Sequence, residues 1–457
     1  MMIHRVWIAV NAARLRAFAL TVVALWILWP ATEAGAVPSF ARQTGFACSV
    51  CHTSFPELTP YGRLFKLQGY VFGTNPSWIP PVAAMAQAEF THTGKGLPGG
   101  VAPGFGPNDT LALQQASLFL AGKIAWKIGV FAQGTYDGVA DHWAIDNADV
   151  RFADTVKVGS KPLIFGVTLN NNPTVQDVWN TTPAWRFPYQ SSSVAPTPAA
   201  ATLIEGALAQ QVLGLGGYVF WNNLLYLEVT PYGAQSADMQ RSLGIDPTGQ
   251  NQIKGLAPYW RIALQHDWTG HALSVGTYGM VANTYPGRDR SRGTDRFTDL
   301  ALDAQYQYFG GAHIMTVGAS WIHEAQDRSA SQALGATAHR SDDLQSFTAT
   351  ASYLYDETYG LSLSHFNVWG RRDVALYAPD PVGGSRTGRP DSNGFIVHVD
   401  YMPLNKHPLP FYPWLNVKFS LQYVIYDRFN GAGHNYDGFG RNASDNNTLN
   451  VFAWAAF

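Results

Sequence analysis

From residue 82 to residue 457, apolar and polar residues alternate with a period of two along most of the chain. The segment 415–426 is the clearest case, because apolar residues occupy all of its odd positions and mainly polar residues its even ones. Segments 299–308, 347–355 and 395–401 repeat the pattern. A β-strand with this alternation has one apolar face and one polar face. The pattern therefore predicts a region built almost entirely from strands.

The alternation predicts sixteen strands, joined by tight and long connections in turn. The strands are expected at residues 82–93, 111–122, 124–136, 142–157, 161–171, 206–221, 223–234, 256–268, 271–285, 295–309, 313–327, 344–357, 359–373, 392–405, 414–428 and 446–457. Connections such as 221–223 and 310–312 are tight, whereas others are long and rich in Gly, Pro and Asp. Single-chain bacterial barrels have an even number of strands, short turns at one end and long loops at the other. The expected fold class is all-β: a transmembrane outer-membrane β-barrel of about 16 strands, preceded by a small α-helical segment.

The composition favours a membrane barrel over its main alternative, a soluble β-sandwich, whose strands also alternate. Charged residues make up only 14% of the chain and aromatic residues 13%, whereas soluble domains carry roughly 25% charged residues. The mean hydropathy is close to neutral at -0.08, which argues against a bundle of apolar membrane helices. Phe457 ends the last strand on its apolar face, as an aromatic residue does in outer-membrane barrels generally.

The first 36 residues have the form of an export signal. Arg5, Arg14 and Arg16 precede an apolar core at 17–29, and small residues end at Ala36. A core this short, followed by a small-residue site, favours a cleaved signal peptide (1–36) over a membrane anchor. The formal net charge of -2 gives no reason to expect nucleic acid as a partner.

The two cysteines of the chain lie just after this signal, in the sequence Cys48-Ser49-Val50-Cys51-His52. This is C-x-x-C-H, the pattern of c-type haem attachment. Two thiols at this spacing add to the two vinyl groups of one porphyrin, and the adjacent histidine reaches the iron. A thioredoxin-like pair would need a βαβ context, and a zinc site would need a second Cys/His pair. We therefore predict one covalent haem c on Cys48 and Cys51, with His52 as the proximal iron ligand.

The second axial ligand of the iron is less well determined by the sequence. Met85 and His92 are the nearest candidates after the motif. Met85 shares its phase with Gln87 and Glu89, which places it on the lumen side of the first strand, whereas His92 falls on the lipid side. Met85 is the tentative distal ligand if the haem segment lies inside the barrel; a gap-filling Met85 and five-coordinate iron remain open.

The segment 37–81 is expected to carry the haem and to contain a short helix. Thr59-Pro60 is a typical helix start, with a capping residue followed by proline at the first helical position. So small a segment rarely folds unaided, but a covalent haem would supply a core. Further along, residues 170–205 lack strand character but contain Trp179, Trp185 and Phe187. One hypothesis is that this long loop folds inward and narrows the lumen.

The sequence around the haem motif resembles the fused monohaem cytochrome–porins of the outer membrane, a family known chiefly from bacteria that oxidise ferrous iron outside the cell. The resemblance covers PSFARQTG at 38–45, TSFPELTPYGR at 53–63 and NNPTVQD at 171–177. It implies three domains: the signal peptide, a monohaem cytochrome segment (37–81) and a porin-like barrel (82–457). The haem roles transfer to Cys48, Cys51 and His52 only.

The resemblance implies electron transfer across the outer membrane by one haem c. The expected donor is extracellular Fe(II), and the expected acceptor is a periplasmic cytochrome or copper protein. If this activity counts as enzymatic, the protein is an Fe(II)-oxidising oxidoreductase. The alternatives are a diffusion porin with an accessory haem, and a conduit that delivers electrons outward to an extracellular acceptor.

Overall fold

The computed structural model describes residues 38–73, 80–406 and 414–457. The predicted signal peptide (1–36) lies outside the described residues. Three helices come first: α1 (Pro38–Thr44), α2 (Cys48–Cys51) and α3 (Pro60–Leu67). Two more short helices, α4 (Ala237–Ser242) and α5 (Ser329–Ala333), lie in connections between strands. None of the helices in the described ranges is long and apolar enough to cross a membrane.

The regular secondary structure of the rest of the described chain is almost entirely β-strand. The strands are β1 (Val82–Thr93), β2 (Thr110–Ala125), β3 (Ile128–Asp137), β4 (His142–Val158), β5 (Lys161–Asn170), β6 (Val212–Trp221), β7 (Leu225–Ala234), β8 (Gln252–Ile253), β9 (Leu256–Trp268), β10 (His271–Tyr285), β11 (Asp295–Gly310), β12 (His313–Asp327), β13 (Ser341–Tyr355), β14 (Tyr359–Gly370), β15 (Ser392–Tyr401), β16 (Asn416–Arg428) and β17 (Thr448–Ala456). The two-residue β8 only extends the pairing of β10, and the other sixteen strands match the sixteen predicted ones.

These sixteen strands form a closed antiparallel barrel. Each pairs with the next along the chain, and β1 also pairs with β17, with Met85 opposite Ala456 and Thr93 opposite Thr448. Closure leaves no unpaired edge, which is the condition for strands to cross a lipid bilayer. The predicted fold class is thus confirmed. The largest boundary error is at β6, which begins at Val212 rather than at residue 206, because residues 206–211 still belong to the preceding loop.

The two faces of the barrel wall differ as the alternation predicts. Along β16, Phe419, Leu421 and Tyr423 are exposed, whereas Lys418, Ser420 and Gln422 are buried inside. Exposed apolar residues recur at mid-strand around the outside: Leu118, Val167, Leu215, Val229, Leu264, Leu302, Val317, Leu363, Val397, Leu421 and Val451. Such a band matches the hydrocarbon layer of a membrane.

Connections at the two ends of the barrel differ in length. At one end, here called the turn side, most strands are joined by two or three residues, as at Asn222–Asn223, where both residues have positive φ (55° and 53°) and so permit a tight hairpin. Exposed aromatic residues lie near this end, namely Trp221, Trp268, Tyr355, Tyr359, Tyr401 and Phe419. The opposite end, here called the loop side, carries most of the long connections. In outer-membrane barrels the turns are periplasmic and the loops extracellular.

Two segments fill much of the lumen. The segment that carries the C-x-x-C-H motif, residues 38–73, is called the haem segment after its predicted cofactor. It enters from the turn side, since Arg42 donates to the carbonyl of Val82 at the start of β1. The inner loop, residues 171–211, folds in between β5 and β6, and Trp179 is completely buried there. The indole of Trp179 donates to Oε1 of Gln265 on the barrel wall at 2.8 Å. The predicted inward-folded loop is confirmed.

Candidate functional site

The C-x-x-C-H residues lie on a tight helical hairpin. Helix α2 spans Cys48–Cys51, and His52 follows it in extended conformation. The Thr59 side chain caps α3 by accepting from the amide of Gly62 at 3.2 Å and also donates to the carbonyl of Val50 at 2.6 Å. A Cβ atom at Gly62 would lie 2.2 Å from the carbonyl oxygen of Cys51. Only glycine therefore lets α3 pack this closely against α2, and the predicted capped helix is confirmed.

A cavity of about 460 Å³ lies beside this hairpin, within the range of ligand pockets. Its walls come from the haem segment, the inner loop and the barrel strands. Mainly apolar and aromatic residues line one part: Phe40, Phe46, Ala47, Cys51, His52, Phe55, Phe65, Tyr70, Met85, Phe119, Phe131, Trp185 and Trp454. Gln87, Gln114, Gln115, Gln133, Gln190 and Ser191 line another part. The two consecutive glutamines of β2 both reach the cavity at the bulge where the register with β1 shifts after Gln87.

Cys51 and His52 border this cavity, and Cys48 is buried behind them. The Cys48 thiol accepts from Nδ2 of Asn416 at 3.2 Å, and neither cysteine is in a disulfide. Burial raises the pKa of Cys48 to about 12 and the pKa of Cys51 to about 11, because surroundings of low polarity disfavour the thiolate. Both groups are therefore protonated thiols at neutral pH.

The imidazole of His52 is neutral in these surroundings. Burial lowers its pKa to about 4, and neutral imidazole is the form that binds a metal. Its Nδ1 atom is buried and has no hydrogen-bond partner among the described residues. Burying a ring nitrogen without a hydrogen-bond partner costs free energy. A ligand in the adjacent cavity would offset this cost by giving the imidazole a partner.

Met85 borders the same cavity, and His92 does not. The Met85 sulfur accepts a hydrogen bond from the indole of Trp454, and the ring of Phe55 stacks on that indole with centroids 5.4 Å apart. His92 is exposed on the outside of the barrel, where its Nδ1 lies 2.7 Å from Oδ1 of Asp109. The structure therefore brings together Cys51, His52 and Met85 around one space, with Cys48 adjacent.

Two buried lysines also border the cavity. Nζ of Lys66 donates to the carbonyls of Val175 and Asp177, each at 2.7 Å. Burial is the main cause that lowers the pKa of Lys66 to about 7, and the positive charge of the nearby Arg151 lowers it further. Nζ of Lys418 donates to the carbonyl of Phe55 at 3.2 Å and lies 3.6 Å from Oδ1 of Asp400. Both amines therefore have polar partners in the protein and also border the cavity.

The haem segment is held in the lumen by hydrogen bonds to strands all around the barrel. Arg63 is fully buried and donates to Oε1 of Gln305 at 2.5 Å and to Gln307. On other strands, the carboxylates of Asp149 and Asp400 accept from the hydroxyls of Tyr70 (2.7 Å) and Ser54 (2.5 Å). The hydroxyl of Tyr218 donates to the carbonyl of Leu67 (2.6 Å), and the side-chain amide of Asn416 donates to the sulfur of Cys48. Because these bonds come from β4, β6, β11, β15 and β16, the segment is fixed on several sides.

The inner loop closes over the haem segment from the loop side. Asn180 accepts from the amide of Leu58 at 2.9 Å, and Trp185 and Tyr189 border the cavity. Asp177 organises the loop, because its carboxylate accepts from the amides of Trp179, Thr181 and Thr182 at 2.9–3.0 Å. The carboxylate also lies 3.6 Å from the guanidinium of Arg261. The fully buried Asp177 keeps a lowered pKa through Arg261 and these amides, which outweigh the effect of burial.

Several residues of the cavity wall were not predicted from the sequence, although the position of one of them in its strand indicates a contact inside the barrel. Trp454 lies in the polar phase of β17, between outward-facing Ala453 and Ala455, and a tryptophan on the lumen face of a barrel strand indicates a special contact. Lys66, Trp185 and Lys418 carried no comparable signal. No group of three or more His, Cys, Asp or Glu residues that could hold a metal ion occurs within the described ranges.

Known proteins similar to this chain are found among solved structures. No protein-family model matches this sequence, and no curated protein is significantly similar to it. Among solved structures, the chain is similar to outer-membrane expressed OmpT of Vibrio cholerae (TM-score 0.39, 10% identity, 82% of this chain and 96% of that chain). It is also similar to the outer membrane channel DcaP of Acinetobacter baumannii (0.44, 10%, 82% and 96%). A third similar structure is an anion-selective porin from Comamonas acidovorans (0.42, 12%, 82% and 98%). Identities this low say nothing about function; the closed ring of sixteen strands itself establishes a porin-type barrel.

Proposed function

We propose that this protein is an outer-membrane electron conduit that carries single electrons across the membrane on one covalent haem c. The observation that carries the proposal is the position of the C-x-x-C-H motif. Cys51 and His52 border an aromatic-walled cavity inside the barrel, and Met85 borders the same cavity. The apolar band on the barrel exterior supports placement in the outer membrane.

The residues around the cavity fit a haem c chemically. Cys48 and Cys51 would form the thioethers, neutral His52 would be the proximal ligand, and the thioether sulfur of Met85 would be the distal one. Lys66 and Lys418 border the cavity and would supply amines to the haem propionates. A haem c bound there would supply one-electron Fe(II)/Fe(III) chemistry, at a potential set by its axial ligands and burial.

The filled lumen favours electron transfer over solute diffusion. The haem segment and the inner loop contact each other through Lys66 with Asp177 and through Leu58 with Asn180. Both segments are also bonded to the wall, as Arg63 and Trp179 show. An electron can pass through such a filled interior by way of a redox centre, whereas a sugar needs an open path. The family resemblance supports extracellular Fe(II) as the donor and a periplasmic cytochrome or copper protein as the acceptor.

In the proposed reaction, one extracellular Fe(II) ion would give up one electron and become Fe(III), and a periplasmic carrier would accept that electron. A haem c held by Cys48, Cys51 and His52 would supply the one-electron centre between them. The insoluble ferric product would remain outside the cell. The chain's own contribution is the interior site, whose wall includes the apolar side chains of Phe40, Phe55 and Trp454.

Spectroscopy of the purified protein tests the proposal. In detergent it should show a c-type absorption spectrum, become reduced when Fe(II) is added, and be oxidised again by a periplasmic acceptor. Haem that stays oxidised with Fe(II) at physiological pH would contradict the assignment of the donor. A midpoint potential too low for Fe(II), together with net outward electron flow in intact cells, would instead favour the outward conduit.

The barrel architecture also favours a second candidate, a diffusion porin with an accessory haem. Liposome swelling separates the two functions, because swelling reports the entry of small sugars through open channels. Swelling at the rate of an open porin of the same strand number would support the diffusion porin. Little or no swelling is expected from the conduit.

A further inference from the structure

We propose that the turn side of the haem segment is the docking site for a redox protein with an acidic face, which takes the electron from the haem. This inference rests on the proposed function and names the chemistry of the acceptor. An aromatic patch and an adjacent row of lysines form the surface. The patch consists of Phe46, Val50, Tyr61 and Phe72, and the lysine row consists of Lys123, Lys127, Lys157 and Lys161.

The aromatic patch is exposed and adjoins the haem cavity. The rings of Phe46, Tyr61 and Phe72 contact one another, with centroids 5.5–6.4 Å apart. Phe72 is 42% exposed and Val50 36% exposed, and Phe46 and Tyr61 are partly exposed. Phe46 also borders the cavity, together with the neighbouring Cys51. A protein that covers the patch would therefore come close to the thioether side of the haem.

The lysine row is connected to the patch through one side chain. Nε2 of Gln43 donates to the carbonyl of Phe72 at 2.9 Å, and Oε1 of Gln43 accepts from the amide of Lys123 at 2.8 Å. Lys127 lies in the turn that follows Lys123 and pairs with Asp154, which partly offsets its charge. Lys157 and Lys161 follow at the next turn, where both are exposed.

The opposite part of the turn side has the reverse charge. The turn between β13 and β14 carries Asp356 and Glu357, with Lys406 paired to Asp356, and Asp267 lies near the end of β9. The end of the barrel is therefore polarised, with its positive part beside the aromatic patch. An apolar contact next to charges of one sign suits a transient electron-transfer complex, in which charge steers the encounter and the apolar contact excludes water.

The electron step balances without any further reactant. The reduced haem iron loses one electron and becomes Fe(III), and the oxidised metal of the docked protein gains it. No bond forms and no proton needs to move. An acidic partner is expected because the lysines would attract it and repel a basic one.

Stopped-flow reoxidation of the full-length haem protein tests the docking site. The haem is first reduced with ascorbate, so that the test does not depend on Fe(II) as donor. The probes are oxidised plastocyanin, which is acidic, mitochondrial cytochrome c, which is basic, and a neutral quinone. Reoxidation by the acidic probe should be the faster protein reaction and should slow steeply as salt is added, because screening removes the steering.

Two variants and their controls complete the test. Lys123→Glu with Lys161→Glu should slow the reaction with the acidic probe by about tenfold at low salt, and Phe72→Ser should slow it at all salt concentrations. Reoxidation by the quinone should not change. The controls place the same changes on exposed residues of the loop side: Lys254→Glu with Arg292→Glu, and separately Phe439→Ser. These control variants should leave the reoxidation rate with the acidic probe unchanged.

Rates that stay within a factor of about two in the turn-side variants would overturn the docking site, as would a reaction with the acidic probe that ignores salt. A protein that never shows a haem spectrum would instead refute the proposed function. The two failures are therefore distinguishable.

Discussion

The barrel wall and the two segments inside it are built on different principles. In the wall, each residue faces lipid or lumen according to its place in a two-residue alternation, and hydrogen bonds join neighbouring strands. In the lumen, contacts join residues far apart in the chain, such as Arg63 with Gln305 and Ser54 with Asp400. The haem segment and the inner loop therefore carry the contacts that distinguish the interior from the wall. Changes to the wall and changes to the interior should have separable effects.

The largest effect should come from replacing both cysteines. Cys48→Ala with Cys51→Ala removes both sites of thioether attachment, so the haem stain of the denatured band should disappear completely. The wall should still form, because no strand pairing involves either cysteine. Haem staining and the heat-dependent shift in gel mobility of a folded barrel measure the two outcomes. Staining that persists at the mass of the variant would contradict the attachment sites.

The next largest effect should come from releasing the inner loop. Asp177→Ala removes the acceptor for three backbone amides and leaves Arg261 with Asp303 alone as a close carboxylate partner. Hydrogen bonds to a charged group contribute roughly 1.5–3 kcal/mol each, so the loss of these three should favour an open loop. Liposome swelling with small sugars should therefore increase. Asp246→Ala is the matched control, since Asp246 accepts from the amide of Thr248 on an exposed loop, and it should leave swelling unchanged.

Replacing the proposed distal ligand should alter the haem without altering the wall. Met85→Leu keeps the volume but removes the thioether, so the charge-transfer absorption that marks Met–iron coordination should be lost. The midpoint potential should fall, because a methionine ligand raises it. Met280→Leu replaces a buried methionine of a different part of the lumen and should change neither property. An unaltered spectrum in the Met85 variant would mean that the iron has another distal ligand or none.

The smallest effect should be a change in the pH dependence of stability at Lys66. The pKa of Lys66 lies near 7 in the folded protein and near 10.4 in an unfolded chain. The unfolded chain therefore binds more protons between these values, and stability should rise with pH from about 7 to about 10. Lys66→Met should flatten this rise, which thermal unfolding in detergent at several pH values would measure as a difference of a few degrees. Lys254→Met replaces an exposed lysine and should keep the rise of stability with pH. A rise that persists in Lys66→Met would show that Lys66 does not cause it.

The sequence predicts the wall well because alternation is a local property. The two faces of each strand can be read from its own residues, so the sequence predicts all sixteen barrel strands. The inward orientation of Met85 follows in the same way from its shared phase with Gln87 and Glu89. The C-x-x-C-H motif predicts haem attachment from the chemistry that fixes its spacing, and this stays a prediction. Partners within the lumen were not readable, because whether Lys66 meets Val175 or Lys418 meets Phe55 depends on how two separate segments fold into one barrel.

Electron transfer through a closed interior is tested most directly in liposomes that contain the protein in one orientation. The liposomes enclose an oxidised, membrane-impermeant electron acceptor together with a labelled small sugar. Fe(II) is added on the loop side only. Reduction of the enclosed acceptor, with the sugar retained, is the predicted result. An acceptor that stays oxidised while the haem is present, or a sugar that escapes as from an open porin, would contradict it.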